Sequence, residues 1–190
     1  MSAGISQEVK MKIVKVIGVV LAVLLLSCAA FLGYMGFFSA LTVNEQELGP
    51  YTYVYERFVG PYKDLGPVFK KVESTLKADG ITADKAIGIY YDNPEKVAKE
   101  KLRSDCGFVL KESDLSNAPA LKKKYTVGTL PKKMSMVVEF PMRNTLSYML
   151  GPIRCYPALV KYAQEKGYKA GVTYELYLKE KTLFVMEIVK

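Results

Sequence analysis

A run of uncharged residues near the N-terminus constrains this chain more than any other feature. No Asp, Glu, Lys or Arg occurs from Val16 to Asn44, and nearly every side chain in this run is apolar. A helix crosses the ~30 Å hydrocarbon core of a bilayer with about 20 residues, so the run is long enough to span it with some tilt. We therefore predict a single-pass transmembrane helix over residues 16–41, preceded by an N-terminal tail over residues 1–15.

The charges on either side of this run predict its orientation. Lys10, Lys12 and Lys15 precede it, whereas Glu45 and Glu47 follow it. Basic residues are retained on the cytoplasmic side of a membrane. We expect the N-terminus in the cytoplasm and the rest of the chain in an extracytoplasmic domain.

Two other interpretations of the run are open. A cleaved secretory signal has a shorter apolar core with small residues at its exit, whereas here the apolar residues continue. The residues Leu25–Cys28 resemble a bacterial lipoprotein cleavage box, in which Cys28 would carry the lipid. The apolar tract after Cys28 favours a membrane span over this alternative.

The composition excludes several kinds of chemistry. The 190 residues include no histidine, so Ser-His-Asp triads, Cys-His nucleophiles and His-ligated zinc are all excluded. The three cysteines (Cys28, Cys106 and Cys155) are too far apart for a CxxC motif. No GxGxxG, P-loop or EF-hand pattern occurs. We expect no metal, no cofactor and no nucleotide as partner.

The remaining residues predict one folded domain over residues 51–190, joined to the helix by a short polar linker over residues 42–50. Tyrosines alternate with other residues from Tyr51, which is the period of a strand. Apolar residues then recur at helical spacing up to Gly80, and two strands follow. The second half repeats the order strand, Pro/Gly turn, helix, Gly, strand, and ends in a hairpin.

This repetition predicts an α+β domain formed by a duplicated strand-helix-strand-strand unit. Two helices would pack on one face of an antiparallel sheet. The other face would stay open as a ligand cleft between the two repeats.

Four segments of the domain resemble a known family. They are VGPYKDLGPVFKKVESTLKADGI, the IYYDNP turn, the strand KLRSDCGFVL and the closing YELYL hairpin. Together they resemble the GyrI-like small-molecule-binding domain, which is grouped with the effector-binding domains of multidrug-responsive regulators and the SOUL haem-binding proteins. The resemblance covers the whole domain and implies a pseudo-twofold pair of units around a ligand cleft. A membrane segment directly before such a domain is similar to the mammalian testis-expressed reticulophagy receptor.

Glu175 is the first candidate site residue. It alternates with Tyr174 and Leu176, and we expect that more apolar set to face the helices, which leaves Glu175 toward the cleft. The resemblance implies that an acidic residue at this position contacts lipophilic cations, and that in some enzyme members it acts in hydrolysis. A carboxylate among aromatic rings suits an organic cation.

Tyrosines are the second candidate group, since the chain contains 14 of them. Their amphipathic rings can line a ligand cleft, and we select Tyr53, Tyr91 and Tyr177 as its walls. Two further strand acids, Glu139 and Glu187, are compatible by residue type with a paired-carboxylate hydrolase.

These observations predict a membrane-anchored binding module for a small lipophilic, cationic ligand, in contact with the bilayer through residues 16–41. One alternative is a hydrolase in which Glu175 activates water, and another is a receptor-type membrane protein that interacts with other proteins. The regulators of the resembled family carry a helix-turn-helix before this domain. Here the apolar run occupies that position, so we expect no nucleic acid partner. Of the two functions of the cleft, we expect binding of a ligand rather than catalysis.

Overall fold

The computed structural model of the chain describes residues 6–81, 83, 85–115 and 121–189. It divides into two compact units, Met1–Ala40 and Leu41–Lys190.

The first unit contains helix α1 (Gln7–Tyr34), whose 28 residues extend about 42 Å. None of them is buried, and among the described residues this one helix is long and apolar enough to cross a membrane. It begins nine residues before the predicted interval 16–41, because Gln7 to Lys15 also contain good helix formers. It ends earlier than predicted, just before Gly36, which has a left-handed φ of 80°. The first five residues of the predicted tail lie outside the described residues.

The second unit contains an antiparallel sheet with helices. Its strands are β1 (Val43–Leu48), β2 (Tyr51–Val59), β3 (Lys85–Tyr90), β4 (Arg103–Val109), β5 (Thr126–Leu130), β6 (Lys133–Pro141), β7 (Lys169–Tyr177) and β8 (Lys181–Val189). Its helices are α2 (Gly66–Ala78), the short α3 (Glu112–Leu115) and α4 (Ser147–Lys166). Over the described residues the eight strands follow the order β1-β6-β8-β7-β3-β4-β2-β5.

This order confirms the predicted α+β class and its internal repeat. The first repeat is β2-α2-β3-β4 and the second is β6-α4-β7-β8, with the central strands β3 and β7 paired between them. The strand that precedes each repeat pairs with the other repeat, since β1 joins β6 and β5 joins β2. The two halves are thus held together at the centre and at both edges.

Residues 42–50 correct the predicted linker. Strand β1 occupies most of this segment and pairs with β6 along its full length. Its polar composition suits an edge strand, where charged side chains prevent pairing with other chains. Glu45 accepts hydrogen bonds from the hydroxyls of Tyr162 and Tyr168, which attach β1 to α4 and to the start of β7.

The two helices cover one face of the sheet. Cys155, Leu159 and Ala163 of α4 pack on strands β6 and β8, and Val72 and Leu76 of α2 pack on β2. These contacts form two separate apolar clusters, one under each helix. The space between the helices therefore lies over the central strands β3 and β7.

The opposite face has its own core rather than an open surface. Its cluster of buried residues consists of Tyr53, Ile87, Ile89, Leu130, Val137, Tyr174, Leu176 and Val185. The rings of Tyr51 and Tyr174 approach to 6.3 Å, although β3 and β4 separate their strands. The sheet curls around this cluster, which corrects the expectation of a ligand cleft on the face away from the helices.

Candidate functional site

Glu175 lies at the centre of the sheet, on the face that the helices cover. On β7 it stands between Gly88 of β3 and Phe184 of β8, and it is only 5% exposed. This corrects the predicted orientation, because the more apolar residues Tyr174 and Leu176 point into the cluster on the opposite face.

Tyrosine hydroxyls bind both oxygens of this carboxylate. Tyr156 of α4 donates to Oε1 at 2.8 Å, and Tyr177 of β7 donates to Oε2 at 2.8 Å. The hydroxyl of Tyr90 lies 2.6 Å from that of Tyr177. Because the proton of Tyr177 is directed to Glu175, Tyr90 donates to Tyr177. Tyr90 and Tyr177 thus form a hydrogen-bonded chain that ends on Oε2 of Glu175, and Tyr156 binds Oε1 separately.

The repeat explains why this site contains one carboxylate and not two. Gly88 occupies the position in β3 that Glu175 occupies in β7, and Tyr90 and Tyr177 each follow by two residues. A Cβ atom at Gly88 would lie 2.8 Å from the hydroxyl of Tyr90. The glycine of the first repeat therefore leaves room for the tyrosine that completes the chain.

Aromatic rings from both repeats surround Tyr177 and Tyr90. Phe69 of α2 packs edge-on against Tyr177 at 5.6 Å, and Tyr148 of α4 packs against the same ring at 5.7 Å. Tyr62 packs on Tyr90 at 5.0 Å. Tyr148 is more than half exposed, so this aromatic shell extends from the buried carboxylate to the surface between the helices.

The electrostatics of Glu175 are set mainly by burial. Removal from water raises the pKa of Glu175 to about 7, and the hydrogen bonds from Tyr156 and Tyr177 offset part of that increase. Burial next to this carboxylate also raises the pKa of Tyr156 and Tyr177 well above the usual range. Among the described residues, no lysine or arginine forms an ion pair with Glu175. The site therefore has an acidic group that lacks a positive partner.

Of the three predicted wall residues, only Tyr177 lies at this carboxylate. Tyr53 is buried in the cluster on the opposite face. Tyr91 lies on that side of the sheet too, where its hydroxyl donates to Asp105 at 2.6 Å beside the guanidinium of Arg57. Tyr53 and Tyr91 lie on the face that we had expected to be open, whereas Glu175 points to the face that the helices cover.

The other two strand acids do not form a pair. Glu187 is buried and binds Lys133 at 3.0 Å, whereas the exposed Glu139 binds Lys181 at 2.7 Å. Glu187 lies opposite Ser135 in the ladder, four residues along β6 from Glu139, or about 13 Å. This separation is too large for paired-carboxylate chemistry.

Thr182 is a site residue that the sequence did not reveal. It lies directly opposite Tyr177 in the β7–β8 ladder and is buried. Its hydroxyl has no hydrogen-bond partner among the described residues. Only the strand register brings it beside Tyr177, as only the helix packing brings Tyr156 to Glu175.

Within the described residues, no group of three or more metal-binding side chains occurs.

Comparison with known sequences identifies relatives of this domain. The pattern of the GyrI-like small molecule binding domain matches residues 41–188. The testis-expressed protein 264 homolog of Mus musculus is 30% identical over 169 residues, which are 85% of this chain and 53% of that protein. The DNA gyrase inhibitor of Pectobacterium carotovorum is 30% identical over 86 residues, 44% of this chain and 56% of that protein. The chain thus spans about half the length of the curated relatives it matches.

A solved structure has a fold similar to that of this chain. The crystal structure of the EcmrR C-terminal domain superposes with a TM-score of 0.57 at 15% identity, covering 79% of this chain and 98% of that domain. At this identity the likeness shows the fold alone. It supports the curled eight-stranded sheet with two helices on one face.

Proposed function

We propose, from the premise that the chain belongs to the GyrI-like small-molecule binding domain family, that it binds a lipophilic cation beside Glu175 between α2 and α4. The family membership itself supports a role in small-molecule binding. The class of ligand and the position of the site are our inferences from the side chains.

The observation that carries this proposal is the unpaired buried carboxylate inside an aromatic shell. Ionising a carboxyl group in an apolar interior is costly unless a positive charge accompanies it. Glu175 has hydroxyl donors but no cationic partner among the described residues. A ligand that carries a positive charge would supply that partner, and the faces of Tyr177, Tyr148 and Phe69 would bind its apolar groups.

Entry of such a ligand requires the shell to rearrange, since Tyr156 and Tyr177 occupy both carboxylate oxygens. Tyr148 is the exposed member of the shell and stacks on Tyr177. Rotation of these rings would expose the carboxylate. Binding of a cation would also stabilise the ionised form of Glu175, so we expect proton release on binding near pH 7.

The proposal is tested with tetraphenylphosphonium as probe, by equilibrium dialysis on the full chain in detergent micelles. Glu175→Gln keeps the shape and removes the charge, and we expect its affinity to fall by about 5–150-fold, as for loss of a buried charged contact. Glu139→Gln, at an exposed strand glutamate, is the matched control and should bind as wild type does. Equal affinity in all three proteins would contradict the proposal.

A second candidate function is hydrolysis, favoured by one observation. A carboxyl group with a pKa of about 7 beside a tyrosine hydroxyl is suited to proton transfer at neutral pH. In that case Glu175 would take a proton from a water that attacks a strained electrophile such as a cyclopropane. Mass spectrometry of a cyclopropane compound incubated with each protein tests this function. Wild type, but not Glu175→Gln, would form a product heavier by one water.

We further propose that α1 anchors the domain in a membrane, with the N-terminus in the cytoplasm. The length and composition of α1 support a span, and the flanking charges support the orientation. A cysteine at Glu180, an exposed residue, reports on the side of the membrane, because Cys106 and Cys155 are buried. In a Cys28→Ala background we expect a membrane-impermeant maleimide to label intact cells at this position. Labelling only after lysis would place the domain in the cytoplasm.

A further inference from the structure

Helix α4 carries apolar side chains on its outer surface. These residues recur at intervals of three, four and seven and lie within about 60° of one another around the helix axis. They are Leu146, directly before the first residue of the helix, and Met149, Ile153 and Val160 within it, which are 44%, 64%, 60% and 45% exposed. We refer to these four residues as the outer stripe.

The outer stripe is not needed to fold the domain. Residues Cys155, Leu159 and Ala163, on the opposite side of α4, provide its contacts with the sheet. Helix α2 holds the equivalent place in the first repeat, and its exposed surface is polar, with Lys70 and Lys77 among its residues. Two helices with the same structural role thus differ in their outer surfaces, and exposed apolar patches of this kind mark interaction sites.

We propose that the outer stripe lies against the lipid bilayer, at the boundary between headgroups and acyl chains. This inference rests on the proposed membrane anchoring by α1. It goes beyond anchoring because it assigns a second, independent lipid contact to the folded domain. A helix with one apolar side in the interface plane is a common mode of membrane contact.

The chain length between the units keeps α4 within reach of the membrane. Helix α1 ends at Tyr34 and β1 begins at Val43, so the eight residues between them span at most about 29 Å. Strand β1 is attached directly to α4, since the hydroxyl of Tyr162 donates to Glu45 at 3.0 Å. If α1 spans the bilayer, this chain length limits how far β1, and with it the C-terminal end of α4, can lie from the end of α1.

The charges at the C-terminal end of α4 also suit a bilayer surface. Lys161, Lys166 and Lys169 are exposed there, against two acidic residues, Glu165 and Glu45. Basic side chains beside an apolar helix face are attracted to anionic lipid headgroups. Because the chain has a net charge of +8, this attraction favours lipid over a second copy of the same basic protein.

The absence of tryptophan from the chain allows a direct test. Three single-tryptophan variants of the full chain are reconstituted in vesicles of phosphatidylcholine and phosphatidylglycerol, with and without bromine on the acyl chains. Ile153→Trp reports on the outer stripe, Leu24→Trp reports on α1, and Lys70→Trp is the control on α2. We expect the brominated lipid to remove roughly half or more of the tryptophan emission of Ile153→Trp and Leu24→Trp, and to leave that of Lys70→Trp unchanged.

The pattern of quenching separates the two proposals. If the Leu24→Trp variant is quenched but the Ile153→Trp variant is not, α1 spans the bilayer and the outer stripe does not contact lipid, which overturns the inference alone. If the Leu24→Trp variant is not quenched, the anchoring itself fails. Unquenched emission from Ile153→Trp that shifts with the ratio of protein to lipid would instead indicate contact with a second copy, and would equally overturn the inference.

Discussion

Replacing Glu175 by glutamine is expected to make the protein more stable at pH 8, by about 2–3 kcal/mol. The reason is the raised pKa of this buried group, about 7 in the folded protein against 4.5 for an exposed glutamate. Each unit of difference corresponds to about 1.4 kcal/mol of stability, so a shift of this size corresponds to about 3 kcal/mol. Glutamine fills the same space and can hydrogen-bond Tyr156 and Tyr177 without a charge.

The sign follows from proton linkage. The folded state binds the proton of Glu175 more tightly than the unfolded state does, so this group causes no loss of stability below pH 4.5, where both states are protonated. Stability falls as the pH rises from about 4.5 to 7, and the full loss remains above pH 7. Asp79 and Asp92, whose pKa values are lowered by Lys124 and Arg103, act in the opposite direction at lower pH, but they are the same in both proteins.

Urea unfolding of the full chain in micelles, followed by the near-ultraviolet circular dichroism of its tyrosines, measures this effect between pH 4 and pH 8. We expect the two proteins to be similar at pH 4 and to diverge as the pH increases. Glu139→Gln is again the control and should follow the wild-type profile. Parallel profiles for wild type and Glu175→Gln would show that Glu175 is not buried as described. A residue that lowers the stability of its own fold at neutral pH is best explained by function.

The repeating elements of the domain were predictable because their signals are local. Alternating tyrosines in β2 and the helical spacing from Leu65 to Leu76 in α2 are patterns within one element, and Gly80 and Gly167 follow α2 and α4 at the expected places. Strand β1 was missed for the same reason. Its polar residues show no apolar alternation, and only the pairing with β6 in the other repeat makes this segment a strand.

The site was only half predictable. Alternation along β7 correctly separates Glu175 from Tyr174 and Leu176, but it does not say which set faces the helices. We assumed that the helices cover the only core, whereas the curl of the sheet creates a second core on the other side, with Tyr174 in it. Tyr156 reaches Glu175 from a helix 19 residues earlier in the chain, a contact that no local pattern contains.

Glycines inside the strands show how closely this second core is packed, and Gly107→Ala is expected to destabilise the domain by on the order of 3 kcal/mol or more. Gly107 of β4 lies between Tyr55 of β2 and Ile87 of β3. A Cβ atom there would meet the carbonyl oxygen of Val54 at 2.0 Å and the Cα of Tyr55 at 2.8 Å. Both are backbone atoms, so the strands themselves would have to separate.

The matched control is Gly66→Ala, at the first position of α2, where an added Cβ meets no atom within 4 Å. Since alanine favours a helix more than glycine does, we expect this variant to be as stable as wild type or up to about 1 kcal/mol more stable. Urea unfolding in micelles compares the two variants directly. If Gly107→Ala unfolds at the wild-type urea concentration, β2 and β4 are not as close as described. Gly107 lies on the face away from Glu175. We therefore expect a Gly107→Ala protein that still folds to retain tetraphenylphosphonium binding. That result would separate the packing of the core around Tyr53 and Tyr174 from the function of the site at Glu175.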